Sequence, residues 1–473
     1  MSDLTTTQRL ADLLAPARAA AAPLRAASHL HARLATILGA LGHRAEAVSI
    51  LDRAAQLAPG RAEDFEALGF AAFGLGEHER SNAFYAAFTL LAPGDSMGWY
   101  NLATSQRNLG QFDQAAHSCE RALAQDPANA QAALLRAHVR TQSAARNNVD
   151  DLRRRLSSQA APAARIFLHY ALGKELDDLA DHDAAWEEFR LGAAARRASL
   201  RYDIAEDVGK LARIAQAFDR GRLGDAPPLE PGVRHAFVIG LPRSGTTLVE
   251  RILTGAKGVR SNGETDMLLA SLMAGTPQQG GDIFDRVARA DGPVVRADYA
   301  RRAGAEAALV IEKLPLNYLY AGAIRLTMPD ARLILLKRCA GDNLFAMFST
   351  LFGGGYPFSY ALPDLATYYV AYSELMSHWR TVLGDQLLEV GYEDLVERPA
   401  EVGEGIARHA GIGWQERMVR VEENASATAT ASAAQVRRPI YRSAVKRWHA
   451  YRRQLAPLAA ALEKAGIDID ANG

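Results

Sequence analysis

From His235 to Leu253 the chain passes from a short apolar run, Phe237-Val238-Ile239, through a loop bounded by Gly240 and Gly245, into helical spacing at Leu248, Ile252 and Leu253. That succession predicts a strand, a glycine-bounded turn and a helix. Such a turn lets successive backbone N–H groups point inward. The helix that follows adds the positive end of its dipole, so an anion is held with little help from side chains. A nucleoside-triphosphate loop would read Gly-x4-Gly-Lys-Ser/Thr, but here Thr246 and Thr247 follow Gly245. The lysine that meets the β- and γ-phosphates is missing. In its place the turn carries Arg243, a charge-assisted donor suited to a single phosphate-like group.

The rest of the composition makes that anion site local. Lys+Arg 54 balance Asp+Glu 54, so no net field draws nucleic acid or an anionic membrane, and neither partner is expected. Two cysteines, Cys119 and Cys339, stand far apart without metal spacing, which fits a reducing compartment and predicts no metal site. The first thirty residues are broken by Asp12, Pro16, Arg18, Pro23 and Arg25, and no stretch approaches a membrane span. The expectation is a cytoplasmic protein of two or three domains.

Upstream of the loop, Gly42, Gly76 and Gly110 recur 34 residues apart, as do Pro59, Pro93 and Pro127, with Leu34, Leu68 and Leu102 in step. Each unit resembles a tetratricopeptide helix pair, glycine at the inter-helix turn and proline ending the second helix. One unit cannot bury its apolar face, so the units must stack. A degenerate unit returns around His169, Leu172, Gly173, Leu176, Ala185 and Phe189. The reading is a capping helix at 1–27, a solenoid at 28–218, a Gly- and Pro-rich linker at 219–234 and a second domain at 235–473. Phe65, Tyr85, Trp99 and Phe112 are expected as inter-helix core, and nothing in this half has a catalytic arrangement.

Beyond the linker four short apolar runs, Ala236–Ile239, Ala308–Ile311, Arg332–Leu336 and Leu387–Val390, alternate with longer helical segments. This predicts a mostly parallel sheet covered by helices. The predicted fold class is therefore α + α/β, a helical solenoid followed by a P-loop-like α/β domain. Ligands of such sheets bind beyond the carboxyl ends of the strands. The residues there are the loop itself, then Glu312 and Lys313, then Lys337 and Arg338, then Tyr392-Glu393-Asp394-Leu395. Basic residues and a tyrosine on one edge suit a nucleotide bearing two separated phosphates.

At this point Pro242-Arg243-Ser244-Gly245-Thr246-Thr247-Leu248 resembles the 5′-phosphosulfate loop of sulfotransferases that use 3′-phosphoadenosine-5′-phosphosulfate (PAPS). Ser261-Asn262-Gly263-Glu264-Thr265 is similar to a segment of the tyrosylprotein branch of that family, where the glutamate is the base on the acceptor hydroxyl. The resemblance implies that Lys313 stabilises charge on the sulfuryl group and that Arg338 grips the 3′-phosphate. It also implies that Tyr392 lies at the nucleotide. The stretch Thr430–Tyr441 resembles the family's loop over the nucleotide, with Arg447-Trp448 after it. Carried over, the catalytic set is Glu264, Lys313 and Ser432. The nucleotide set is Arg243, Ser244, Gly245, Thr246, Thr247, Arg338, Tyr392, Ser432, Gln435, Val436, Arg437, Arg438, Pro439 and Arg447. The resemblance implies PAPS as donor, 3′-phosphoadenosine 5′-phosphate (PAP) as product and no metal. It also implies a hydroxyl acceptor, with a protein or peptide held by the solenoid as the expected partner.

One departure concerns the 3′ site. Many members of the family that the sequence resembles follow the arginine with Asp-Pro and carry a serine eight positions on, where this chain has Cys339-Ala340 and Ala346, so a hydroxyl donor is absent unless Ser349 or Thr350 substitutes. Two other classes compete: a kinase or NTPase in which Glu312 serves as a Walker-B carboxylate, and a nucleotide-binding scaffold whose repeats are the working part.

Overall fold

The computed structural model describes residues 28–471 apart from 58–59, 160, 225–233, 305–306, 425, 428–429, 431–434 and 443. The expected capping helix, most of the expected linker and Ser432 lie outside the described residues. Contacts divide the chain into two compact units, one of residues 1–141 with 426–429 and one of residues 142–425 with 430–473.

The first unit is built of antiparallel helix pairs, Ser28–Ala40 with Arg44–Gln56, Ala62–Gly74 with His78–Leu91, and Ser96–Asn108 with Phe112–Gln125, followed by Ala130–His138. Gly42, Gly76 and Gly110 sit between paired helices at φ of 80°, 73° and 78°. In each turn the residue after the glycine donates its N–H back across the helix end, as Glu77 does to Ala72, so the period recurs as a repeated left-handed cap. Leu34, Leu38, Leu51 and Leu68 fill the core between pairs, with Phe65 packed against it. Tyr85 is buried as expected. Trp99 is a half-buried cover, with Arg121 over its ring and Nε1 bonded to Pro93.

The degenerate unit is also a helix pair, Pro162–Asp178 and His182–Ala198, with Ala180 at φ 61° and the same bond, Asp181 N–H to the Leu176 carbonyl. Alanine in this region costs about 1 kcal/mol relative to glycine. Ala180→Gly is therefore expected to stabilise the chain by about 1 kcal/mol in urea unfolding. An unchanged midpoint would contradict the cap.

This pair falls in the second unit, whereas its sequence pattern groups it with the repeats. The reason is what its outer face buries. Trp186 stacks on Phe348 at 5.1 Å, Phe189 meets Phe345 edge-on at 6.5 Å, and the Tyr170 hydroxyl donates to the Phe348 carbonyl. The next helix, Ile204–Ala217, packs on Leu362–Leu383, and Phe218 meets Trp379. The first residues of the expected linker form a short helix, Arg220–Gly224.

The sheet has five parallel strands, β1 His235–Gly240, β2 Val259–Ser261, β3 Leu309–Glu312, β4 Ala331–Lys337 and β5 Leu387–Gly391, in the order β2-β3-β1-β4-β5. The central strands are buried on both faces, as continuous apolar runs require. Register sets Phe237 beside Glu312 and Gly240 beside Leu336, so the residues after β1, β3 and β4 emerge on one edge. Among the described residues no helix is long and apolar enough to cross a membrane.

Candidate active site

The turn after β1 holds three positive φ angles, Gly240 at 144°, Arg243 at 67° and Gly245 at 109°, before the helix Thr246–Thr254 begins. A Cβ at Gly240 would stand 2.6 Å from the Leu336 carbonyl oxygen, and one at Gly245 would stand 2.5 Å from the Tyr392 ring, so both positions require glycine. Asn343 Nδ2 donates to the Pro242 carbonyl at 2.8 Å and Arg338 Nη1 to the Arg243 carbonyl at 2.9 Å, fixing the outer turn from β4's side. Ser244 Oγ is buried and, like Arg338 Nε, meets no partner among the described residues. An oxyanion would use both donors. Thr246 and Thr247 are buried at the helix start, Thr247 with its hydroxyl 3.4 Å from that of Thr430.

The turn after β2 is laced to the end of β3. Asn262 N–H donates to the Ile311 carbonyl at 2.8 Å and Lys313 N–H to the Gly263 carbonyl at 3.0 Å. That lacing brings the Glu264 carboxylate onto the Lys313 ammonium as a hydrogen-bonded ion pair, the lysine side chain fully buried and the glutamate 38% exposed. Glu250 Oε2, on the helix that starts at the loop, lies 3.8 Å from the same ammonium, while Ser261 donates its hydroxyl to Glu250 Oε1. Lys313 is thus tied to both the loop's helix and the turn bearing Glu264.

Arg338 stacks over the Tyr392 ring at 4.8 Å. Burial first, and the neighbouring Arg338 second, push the Arg243 guanidinium down to about 10, with Tyr441, Tyr392 and Glu264 also in its field. A bound anion would relieve that penalty. The loop, Arg338, Tyr392, Glu264 and Lys313 therefore share one space at the carboxyl edge of the sheet.

The C-terminal residues assemble less completely. Gln435–Arg437 form a short 3-10 turn in which Val436 is buried and Arg437 half-buried, its cation disfavoured by burial; Arg438 and Pro439 are exposed. Arg447 forms its ion pair with Asp177 of the helix Pro162–Asp178. Ser349 and Thr350, just past the helix Ala340–Phe348, donate their hydroxyls to the carbonyls of Phe345 and Ala346 one turn back. His449 Nε2 lies 2.9 Å from Asp470, while His378 and His409 meet the backbone carbonyls of Phe218 and Leu333.

Glu312 is sealed inside. Its oxygens accept from the Tyr299 hydroxyl at 3.0 Å and Asn317 Nδ2 at 2.9 Å, and its side chain has no exposed surface. That deprives the NTPase reading of its carboxylate.

Sequence reasoning missed Glu250, Ser261, Asp342 and Asn343. The last two fall one helical turn after Arg338 in Ala340–Phe348, a spacing that places them on its side. Glu250 carries no sequence signal, since only the sheet order brings it to Lys313.

Residues 236–416 match the family described as the sulfotransferase family, and residues 96–129 match the tetratricopeptide repeat. An uncharacterized protein of Aquifex aeolicus (strain VF5) is 26% identical over 380 residues, which cover 76% of this chain and 49% of that protein. The chain spans about half the length of that relative. Among solved structures, the sulfotransferase domain of the Synechococcus PCC 7002 olefin synthase aligns over 47% of this chain and 96% of its own, at 17% identity and a TM-score of 0.29. Sulfotransferase STF1 of Mycobacterium tuberculosis H37Rv aligns over 62% and 92%, at 14% identity and a TM-score of 0.30. These low scores carry no weight of their own.

Proposed function

Because residues 236–416 form a sulfotransferase-family domain behind tetratricopeptide helices, we propose that the chain moves a sulfuryl group from PAPS to a hydroxyl of a protein or peptide in the cytoplasm. The observation that carries this reading is Lys313, a fully buried ammonium held between Glu264 and Glu250, on the edge that also bears the loop and Arg338.

The donor supplies the sulfuryl group, whose bond to the phosphate oxygen breaks as a bond to the acceptor oxygen forms. The chain's residues prepare for that transfer. The N–H groups after Gly240, the Ser244 and Thr246 hydroxyls and Arg243 hold the 5′ end. Arg338 takes the 3′-phosphate, and Tyr392 flanks the nucleotide. Lys313 stands where negative charge grows on the bridging oxygen, and a fixed cation in a water-poor site is worth most there. Glu264, the more exposed partner, accepts the acceptor's proton. In the resting pair its carboxylate is held by Lys313, so acceptor binding must share or displace that bond.

Calorimetry with PAP and with ATP·Mg²⁺ tests the donor. Binding of PAP alone supports the reading, while binding of ATP·Mg²⁺ with no response to PAP overturns it. The acceptor is tested by mass spectrometry of a lysate incubated with labelled PAPS, where sulfation of small phenols alone would reject the protein acceptor. Because helices 162–217 belong with the sheet, a truncation that asks what the repeats contribute has to end at residue 141.

A further inference from the structure

We propose that Asp177, on a helix the sequence assigns to the repeat array, is a positioning residue for the nucleotide site, acting through the C-terminal turn 444–451. The proposal rests on the donor reading above.

The turn is fastened from two sides. Toward the sheet, Asp342 is fully buried and accepts the N–H of Lys446 at 2.6 Å and of Trp448 at 2.9 Å. The Trp448 ring fills the space beside Gly341 that a Cβ would need. Arg338 Nη2 donates to the Ala444 carbonyl at 2.6 Å and lies 3.8 Å from Asp342. The guanidinium offered to the 3′-phosphate is therefore aimed partly by where this turn sits.

Away from the sheet, one carboxylate, Asp177, meets both Arg447 and Tyr451. Its Oδ2 pairs with Arg447, and its Oδ1 accepts the Tyr451 hydroxyl at 2.7 Å. The Asp177 side chain is 6% exposed, and the Tyr451 ring is stacked on Phe345 at 4.1 Å. His182 Nδ1 stands 3.6 Å from Asp177 and 3.3 Å from the Tyr451 hydroxyl. A buried carboxylate spanning two side chains four residues apart holds both in one geometry, and removing its charge leaves Arg447 free to turn away. Nothing in Asp177 itself needs to touch nucleotide.

The test compares PAP with AMP, which lacks the 3′-phosphate, in the full chain. Asp177→Asn is expected to weaken PAP binding about tenfold and raise the KM for PAPS similarly. AMP affinity and kcat at saturating donor should stay within twofold. Arg447→Gln should reproduce the loss, and the double variant should lose no more than either alone. Asp177→Glu, which restores the charge, should recover part of the affinity. If Asp177→Asn binds PAP as the parent does, or loses PAP and AMP equally, the positioning role is wrong. If the parent itself binds no PAP, the donor assignment fails and this proposal with it.

Discussion

Replacing Lys313 with methionine is expected to lower kcat by on the order of 10³-fold while PAP affinity changes by less than about threefold, because the lost donor serves charge that develops only in transfer. Methionine keeps the length and volume of the buried stem, so the packing between β3 and the loop's helix survives. Glu264 is part-exposed and regains water, whereas the buried Glu250 would lose the ammonium and keep the Ser261 hydroxyl. Some loss of stability should accompany the variant, and the melting temperature separates it from catalysis. Glu264→Gln should cost about 10²–10⁴-fold in kcat/KM, the usual worth of a general base. Since the two side chains form one pair, the double variant should fall little below the worse single one. A Lys313→Met enzyme with parental turnover would end the assignment of Lys313 to the reacting oxygen. A parallel loss of PAP affinity would make it a nucleotide-binding residue instead.

The sequence shows the strands where they are apolar and hides the one that is not. β1, β3, β4 and β5 begin and end within a residue of the runs read from hydrophobicity, whereas Val259-Arg260-Ser261 is too short and too polar to stand out. Its pairing with β3 is nevertheless what delivers Glu264 to Lys313. The glycine period predicts helix-pair turns correctly because a left-handed cap is a local demand on backbone conformation. The same period says nothing about which core a helix's other face joins, so the pair 162–198 was assigned to the repeats although its aromatic residues pack with the sheet. In the site, residues tied to a turn or strand end were legible. Glu250 and Asp177 were not, since each meets a residue distant in sequence, at a place only the folded topology defines.

Glu312 makes the second large effect, on stability, and it follows from burial at the strand end that carries Lys313. Burial raises its carboxyl from 4.5 to about 7, against the hydrogen bonds from Asn317 and Tyr299 that favour the charged form. A raised acid binds its proton more tightly when folded than when unfolded. Its contribution to stability is therefore fully present below about pH 4.5, declines as pH rises through the folded value near 7, and is absent above it. The corresponding free energy is about 3 kcal/mol. Glutamine cannot titrate, so urea unfolding of parent and Glu312→Gln should show a difference that moves by about 3 kcal/mol in the variant's favour between pH 4.5 and 7.5. Any cost of mismatched bonds to Tyr299 and Asn317 would offset the curves equally at every pH. A difference that stayed constant with pH would mean that Glu312 binds its proton no more tightly in the fold than in the unfolded chain.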